Sequence, residues 1–245
     1  MASFSKAKDV FRDVVDLDLY VPLPSLEKVK NDLIDTLKNR EKMIFLTGEA
    51  GSGKSMILKN VYEEIKNKTN VFYISNPYLE IDTILNILKK LSLNDYQIFL
   101  IDEAQLLSHE TFENLRIYAD KGNITIVFAT HDTDIKKLMI KKHFQTRINY
   151  IFKVRSATRE ELENFIKTKL LKSNLIDIAE MLKKKNYDLI YKYTRGSLRA
   201  TNQLMYKLFD ILEYFHKKDP NKVSTEKLPN KYIEMAYMDF KEFHA

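Results

Sequence analysis

The chain of 245 residues contains no cysteine and no tryptophan, and only five glycines and five prolines. Without cysteine there is no disulfide framework, no thiolate metal site and no thiol nucleophile, and the composition fits a reducing compartment. No apolar run approaches the roughly 18 residues a membrane-spanning helix takes. Residues 1–18 mix charges with isolated apolar side chains and lack the continuous apolar stretch of a secretory signal. Five histidines, at 109, 131, 143, 216 and 244, are too scattered for a transition-metal site. What is present is ordinary for a folded protein: 44% hydrophobic and 30% charged residues, enough for a sizeable core in one or two domains.

Charge is unevenly placed. Residues 1–150 hold 21 basic and 21 acidic side chains, whereas 151–245 hold 19 and 13, so the whole net charge of +6 lies in the last 95 residues. Such asymmetry suggests two units with different surfaces. A basic unit suits nucleic acid or an anionic membrane face. Only eight of the 40 basic residues are arginine, however, and lysine is also the commonest solvated filler. Lys183–Lys185 and Lys217–Lys218 read most simply as solvated faces. Tyr187, Tyr191 and Tyr193 read as packing residues.

The first two-thirds alternate. Short apolar runs at Met43–Thr47, Val71–Ser75, Gln97–Ile101, Ile124–Ala129 and Tyr150–Val154 read as buried strands. Helical spacing separates them, at about 54–67, 81–91, 106–119 and 134–139. Unbroken apolar strands alternating with helices indicate an α/β fold, a parallel sheet with helices on both faces. Beyond 155 no strand is evident. Thr158-Arg-Glu-Glu161 is a capping box that opens a helix, 198–215 carries one apolar helical face, and a final helix falls near 232–243. The expected organisation is an N-terminal extension over 1–20, a nucleotide-binding domain over 21–155 and a small all-helical lid domain with a basic extension over 156–245.

Three of the five glycines fall within six residues. Gly48-Glu49-Ala50-Gly51-Ser52-Gly53-Lys54-Ser55, followed by Met56, matches G-x-x-x-x-G-K-[ST] between an expected strand and an expected helix. Glycine there frees consecutive backbone N–H groups to converge on an anion at a helix N-terminus. Lys54 is placed to reach the β- and γ-phosphates, and the Ser55 hydroxyl to ligate Mg²⁺. The run Ile98-Phe-Leu-Ile-Asp-Glu103 ends an apolar strand in two carboxylates. At the C-terminal tip of a parallel strand these face the ligand crevice. Asp102 would hold Mg²⁺, and Glu103 would polarise water for attack on the γ-phosphate of ATP.

TGEAGSGKS, FLIDEAQ, the strand ending FAT, the segment Phe144–Ile148 and the lid segment Gly196–Asn202 together resemble the AAA+ P-loop ATPases. The order is most similar to the group containing the ExeA/GspA secretion ATPases, the pilus-biogenesis ATPase MshM and the transposition ATPase TniB. That resemblance implies a polar sensor at Thr130, with His131 competing for the role. It implies an arginine finger at Arg147, with Arg155 as alternative, and a lid arginine at Arg199, with Arg195 one turn earlier. Tyr20 would flank the adenine. The family's lid usually carries proline where this chain has Leu198, and the roughly 30 residues after the lid are fewer than a winged-helix DNA module takes. The expected function is a Mg²⁺-dependent ATPase that drives a membrane machine for type II secretion, pilus assembly or DNA uptake in natural transformation. Such a protein would be cytoplasmic or held at the inner membrane by a partner, and it would form homo-oligomers. A DNA-acting ATPase of transposition or replication, and a slow nucleotide-dependent switch, are the alternatives.

Overall fold

The computed structural model describes residues 4–14, 17–90, 96–139, 150–219, 223 and 226–242. Arg147 lies outside the described residues. Two compact units are present: one comprises residues 25–49 and 53–155, the other residues 1–24, 50–52 and 156–245.

The first unit is built on five parallel strands in the order β2-β3-β4-β1-β5. These are β1 (Met43–Gly48), β2 (Asn70–Ile74), β3 (Gln97–Ile101), β4 (Ile124–Thr130) and β5 (Tyr150–Val154). Every residue of β1 and β4 is buried, which is why those segments read as unbroken apolar runs rather than alternating ones. Phe45, Phe99, Ile126 and Phe128 pack with Phe112 and Leu115 on one side of the sheet. Phe45 and Phe128, one register pair of β1 and β4, have ring centroids 5.2 Å apart. The helices of this unit are α2 (Pro24–Lys38, whose first residue belongs to the other unit), α3 (Lys54–Ile65), α4 (Ile81–Lys90), α5 (His109–Asp120) and α6 (Asp132–Met139). A single 3-10 turn, Ala104–Leu106, follows β3.

Register fixes what the strands deliver. Thr47 pairs with Thr130 and with Lys153, so the C-terminal ends of β4, β1 and β5 are level. Ile101 pairs with Ile74, and the Asp102 N–H donates to the Ile74 carbonyl at 2.9 Å, so β3 delivers its carboxylates at the same rim.

The second unit is helical: α1 (Phe4–Val10), α7 (Arg159–Lys172), α8 (Ile176–Met181), α9 (Lys184–Thr194), α10 (Leu198–Lys218) and α11 (Asn230–Glu242). Thr158 and Glu161 form the expected capping box, with the Glu161 N–H donating to Thr158 Oγ1 and the Thr158 N–H to Glu161 Oε2. The N-terminal segment belongs here. Phe11 is buried against Phe209, and Lys8 Nζ donates to Glu213 at 2.8 Å and to Asp210 at 3.0 Å. Those two carboxylates hold the Lys8 ammonium well above the ordinary lysine range. Tyr187 is buried, whereas Tyr193 stacks on Tyr237 with centroids 3.8 Å apart. Among the described residues no helix is long and apolar enough to cross a membrane.

Candidate functional site

The site grows from the end of β1. Gly53, at φ 108, occupies a left-handed conformation open chiefly to glycine, and its carbonyl receives the Ile57 N–H that starts α3. Lys54 opens that helix and is nearly buried. Its ammonium donates to the carbonyls of Gly48 at 2.9 Å and Glu49 at 3.0 Å, so the lysine is folded onto its own loop. Met56 lies in the first turn, where its carbonyl accepts from Asn60.

The Ser55 hydroxyl and the Asp102 carboxylate, 47 positions apart in sequence, are close enough for the hydroxyl to favour the charged form of the acid. Asp102 is 4% exposed. It accepts from the Glu103 N–H at 3.0 Å and from the Tyr73 hydroxyl at 3.2 Å. Burial raises its carboxyl above the ordinary range, aided by the charge of Glu103 and opposed by the Ser55 hydroxyl, the Glu103 N–H and the Tyr73 hydroxyl. Tyr73 is itself held in its neutral form, by burial first and by the Asp102 charge second.

A raised carboxyl makes the folded chain bind a proton more tightly than the unfolded chain does. Stability is therefore greater below the ordinary carboxylate range and falls as pH rises through the raised value. Asp102→Asn removes that dependence. It is expected to stabilise the nucleotide-free protein by about 1 kcal/mol at neutral pH, with no gain at about pH 3. Paired denaturant titrations at the two pH values measure this.

Glu103 follows at φ 48, a left-handed conformation unusual for a residue with a side chain. Its carboxylate is 39% exposed and lies 3.8 Å from His131 Nε2. It accepts a hydrogen bond from the Gln105 side-chain amide. Thr130, buried at the end of β4, donates to the other end of that amide, Gln105 Oε1, at 3.3 Å. One step further, Asp132 is 2.9 Å from Lys153. Burial opposes ionisation of Asp132, but Lys153, Thr47 and Lys54 together hold its carboxyl below the ordinary range.

The middle of the phosphate loop, residues 50–52, is grouped with the helical unit. The Leu198 N–H donates to the Gly51 carbonyl at 3.0 Å. Gly51 is left-handed at φ 75, and a Cβ there would meet the Ser197 hydroxyl at 2.5 Å. Ser52 is 1% exposed, and its hydroxyl has no hydrogen-bond partner. A buried orphan hydroxyl inside a glycine-rich loop fits an anion acceptor. The oxygen pair of Ser55 and Asp102 fits a hard cation that takes its remaining ligands from phosphate and water.

Lys54, Ser55, Asp102, Glu103 and Thr130 come together at the rim of one unit. Arg199 and Tyr20 lie in the other unit. There Arg199 Nε is 3.7 Å from Asp13, and the Tyr20 carbonyl accepts from Lys172 at 2.6 Å. Arg155 is exposed just past β5, and Arg195 is exposed at the left-handed end of α9. Tyr73, Gln105 and Asp132 were given no role by the sequence reading. The signal available for each was position: Tyr73 sits one residue before the end of β2, Gln105 two after Glu103, and Asp132 two after Thr130. A cavity of about 330 Å³ elsewhere in the unit, lined by Leu37, Arg40, Tyr96 and Ile98, contains none of the rim residues.

The comparisons agree with this architecture. The Holliday junction branch migration motor RuvB of Thermotoga maritima matches with a TM-score of 0.62 and 21% identity, over 92% of this chain and 72% of that one. The ORC2 protein of Aeropyrum pernix, solved in ADPNP–ADP complexes, matches with a TM-score of 0.64 and 17% identity, over 93% and 71%. Cdc6p of Pyrobaculum aerophilum matches at 0.60 and 17%, over 87% and 66%. No curated protein is significantly similar in sequence. The fold is the P-loop AAA+ fold, a five-stranded parallel sheet with helices followed by a helical region. The family model of Novel STAND NTPase 5 matches residues 8–142, more than half of the chain, which therefore belongs to that NTPase family.

Proposed function

We propose that the chain is a Mg²⁺-dependent ATPase whose hydrolytic centre is the rim formed by Lys54, Ser55, Asp102, Glu103 and Thr130. The approach of the Ser55 hydroxyl to the Asp102 carboxylate carries the reading, because it brings the end of the glycine-rich loop and the acidic strand tip to one point. When bound there, Mg²⁺ supplies positive charge to the phosphate oxygens. Lys54 releases its own loop carbonyls to meet the β- and γ-phosphates. Gly48 to Met56 wrap the phosphates with backbone N–H groups. Glu103, the carboxylate with access to water, takes the proton of the attacking water. Thr130 positions that water. The sequence resemblance adds Arg199 as the lid arginine, Tyr20 as the adenine neighbour and Arg147 as an arginine finger of a homo-oligomer.

The work done is on nucleic acid. Support comes from the likeness to RuvB, a Holliday junction branch migration motor, and from the basic excess after residue 150. The membrane-machine reading has only the sequence resemblance behind it. Turnover of ATP in magnesium, measured with and without duplex DNA, tests the assignment. The expected result is hydrolysis stimulated by DNA, with DNA affinity that falls steeply with salt, by about tenfold or more between 50 and 200 mM. Unchanged turnover with DNA and no salt-dependent binding would remove the nucleic-acid reading and leave the ATPase standing. No turnover under any condition would remove both.

A further inference from the structure

Gln105 spans the gap between the two side chains that the hydrolytic reading places on either side of the attacking water. Its amide nitrogen donates to Glu103 Oε2, and its amide oxygen accepts from Thr130 Oγ1 at 3.3 Å. An amide has one accepting end and one donating end, and a carboxylate only accepts. The Glu103 carboxylate therefore takes the amide NH₂, and the amide oxygen is left to accept from the Thr130 hydroxyl, buried at the end of a central strand, which anchors the far end of the side chain. The backbone contributes as well. Glu103 is left-handed and caps the 3-10 turn Ala104–Leu106, and the Leu106 N–H donates back to its carbonyl at 2.9 Å. That turn brings the side chain two residues on back beside the Glu103 carboxylate.

Glu103 needs such a partner. Its neighbour Asp102 is buried and held by two donors, but the Glu103 carboxylate is 39% exposed on a rotatable stem. Beside the buried charge of Asp102, the unrestrained carboxylate would turn outward to solvent. We propose that Gln105 is a positioning residue: a bridge, anchored on Thr130, that holds the Glu103 carboxylate inward for proton transfer. It acts through Glu103. The inference rests on the hydrolytic reading of this site and names a part that reading does not contain.

The test is a double-mutant cycle with the full chain. Gln105→Leu keeps the size of the side chain and removes both ends of the bridge. It is expected to lower kcat about tenfold to a hundredfold, with KM for ATP and affinity for a non-hydrolysable analogue unchanged. In a Glu103→Gln background the same substitution is expected to cost nothing further, because the group it positions is already gone. An equal loss in both backgrounds, or a loss of analogue affinity in step with kcat, would show a merely structural role and overturn the proposal. So would normal kcat in Gln105→Leu.

A second readout needs no turnover. The Gln105 side-chain amide resonance, identified by its disappearance in Gln105→Leu, is expected to shift in both Glu103→Ala and Thr130→Val. A resonance indifferent to both changes would sink the bridge even if the protein hydrolysed nothing. Conversely, a resonance that responds to both in a protein without turnover would uphold the bridge while removing the ATPase reading.

Discussion

Glu103→Gln is expected to bind ATP and magnesium with unchanged affinity and to turn it over roughly 10²–10⁴-fold more slowly. The expectation comes from the different surroundings of two adjacent carboxylates. Asp102 is buried, and its oxygens already accept from Tyr73 and the Glu103 N–H. A carboxylate so enclosed gives an attacking water no access, whatever its affinity for a proton. Glu103 keeps over a third of its side chain open to water and has the Gln105 amide on one oxygen. Environment thus assigns one acid to the cation and the other to the proton. Glutamine preserves the shape at 103 and can still pair with Gln105 after an amide flip, so nucleotide binding has no reason to change. Equilibrium titration with a fluorescent ATP analogue measures the first half, and single-turnover hydrolysis the second. Turnover within a factor of about two of the parent would remove the general-base role from Glu103.

How far this centre was visible beforehand depends on the kind of information each residue carries. Gly48–Ser55 was legible because glycine is scarce in this chain, and a cluster of it between an apolar run and a helical stripe has a backbone cause. Asp102 and Glu103 were legible because two carboxylates ending a wholly apolar strand must emerge at its tip. The five strands and the all-helical stretch after residue 155 follow from periodicity alone. Tyr73 is different. Its meeting with Asp102 depends on β2 pairing with β3 in a particular register, and nothing local to Asn70–Ile74 states that register. Gln105 needed the left-handed backbone at Glu103, which a glutamate does not advertise. The N-terminal segment was hidden for a third reason. Residues 4–14 show only charges mixed with isolated apolar side chains, and their place in the helical unit is set by partners some 200 positions away, Asp210 and Glu213 for Lys8 and Phe209 for Phe11. The short helices at 176–181 and 184–194 lack the long apolar stripe by which α10 declared itself.

The largest loss of stability is expected from Gly196→Ala. Gly196 stands between α9 and α10 in the helical unit, directly after Arg195, and both are left-handed, at φ 78 and φ 51. Two such residues in succession reverse the chain so that Ser197 can cap α10 by accepting the Ala200 N–H. The turn is pressed against the segment that enters α7: the Ala157 N–H donates to the Gly196 carbonyl at 3.0 Å. A Cβ at 196 would lie 2.1 Å from the Ala157 carbonyl oxygen. The obstacle is backbone, so no change of rotamer relieves it. Either the 157–196 hydrogen bond breaks or the reversal opens, and the N-terminus of α10 loses its seat. Together with the cost of a left-handed alanine, the expected penalty is about 3 kcal/mol or more, a fall of roughly 6–12 °C in Tm for a chain of this size. Gly122 supplies the control. It is also left-handed, at φ 87, but nothing lies within 4 Å of a Cβ there. Gly122→Ala therefore carries only the conformational cost, about 1 kcal/mol. Far-UV circular dichroism melts of the two variants separate the contributions. If Gly196→Ala melts no lower than Gly122→Ala, the close approach to Ala157 does not constrain the fold.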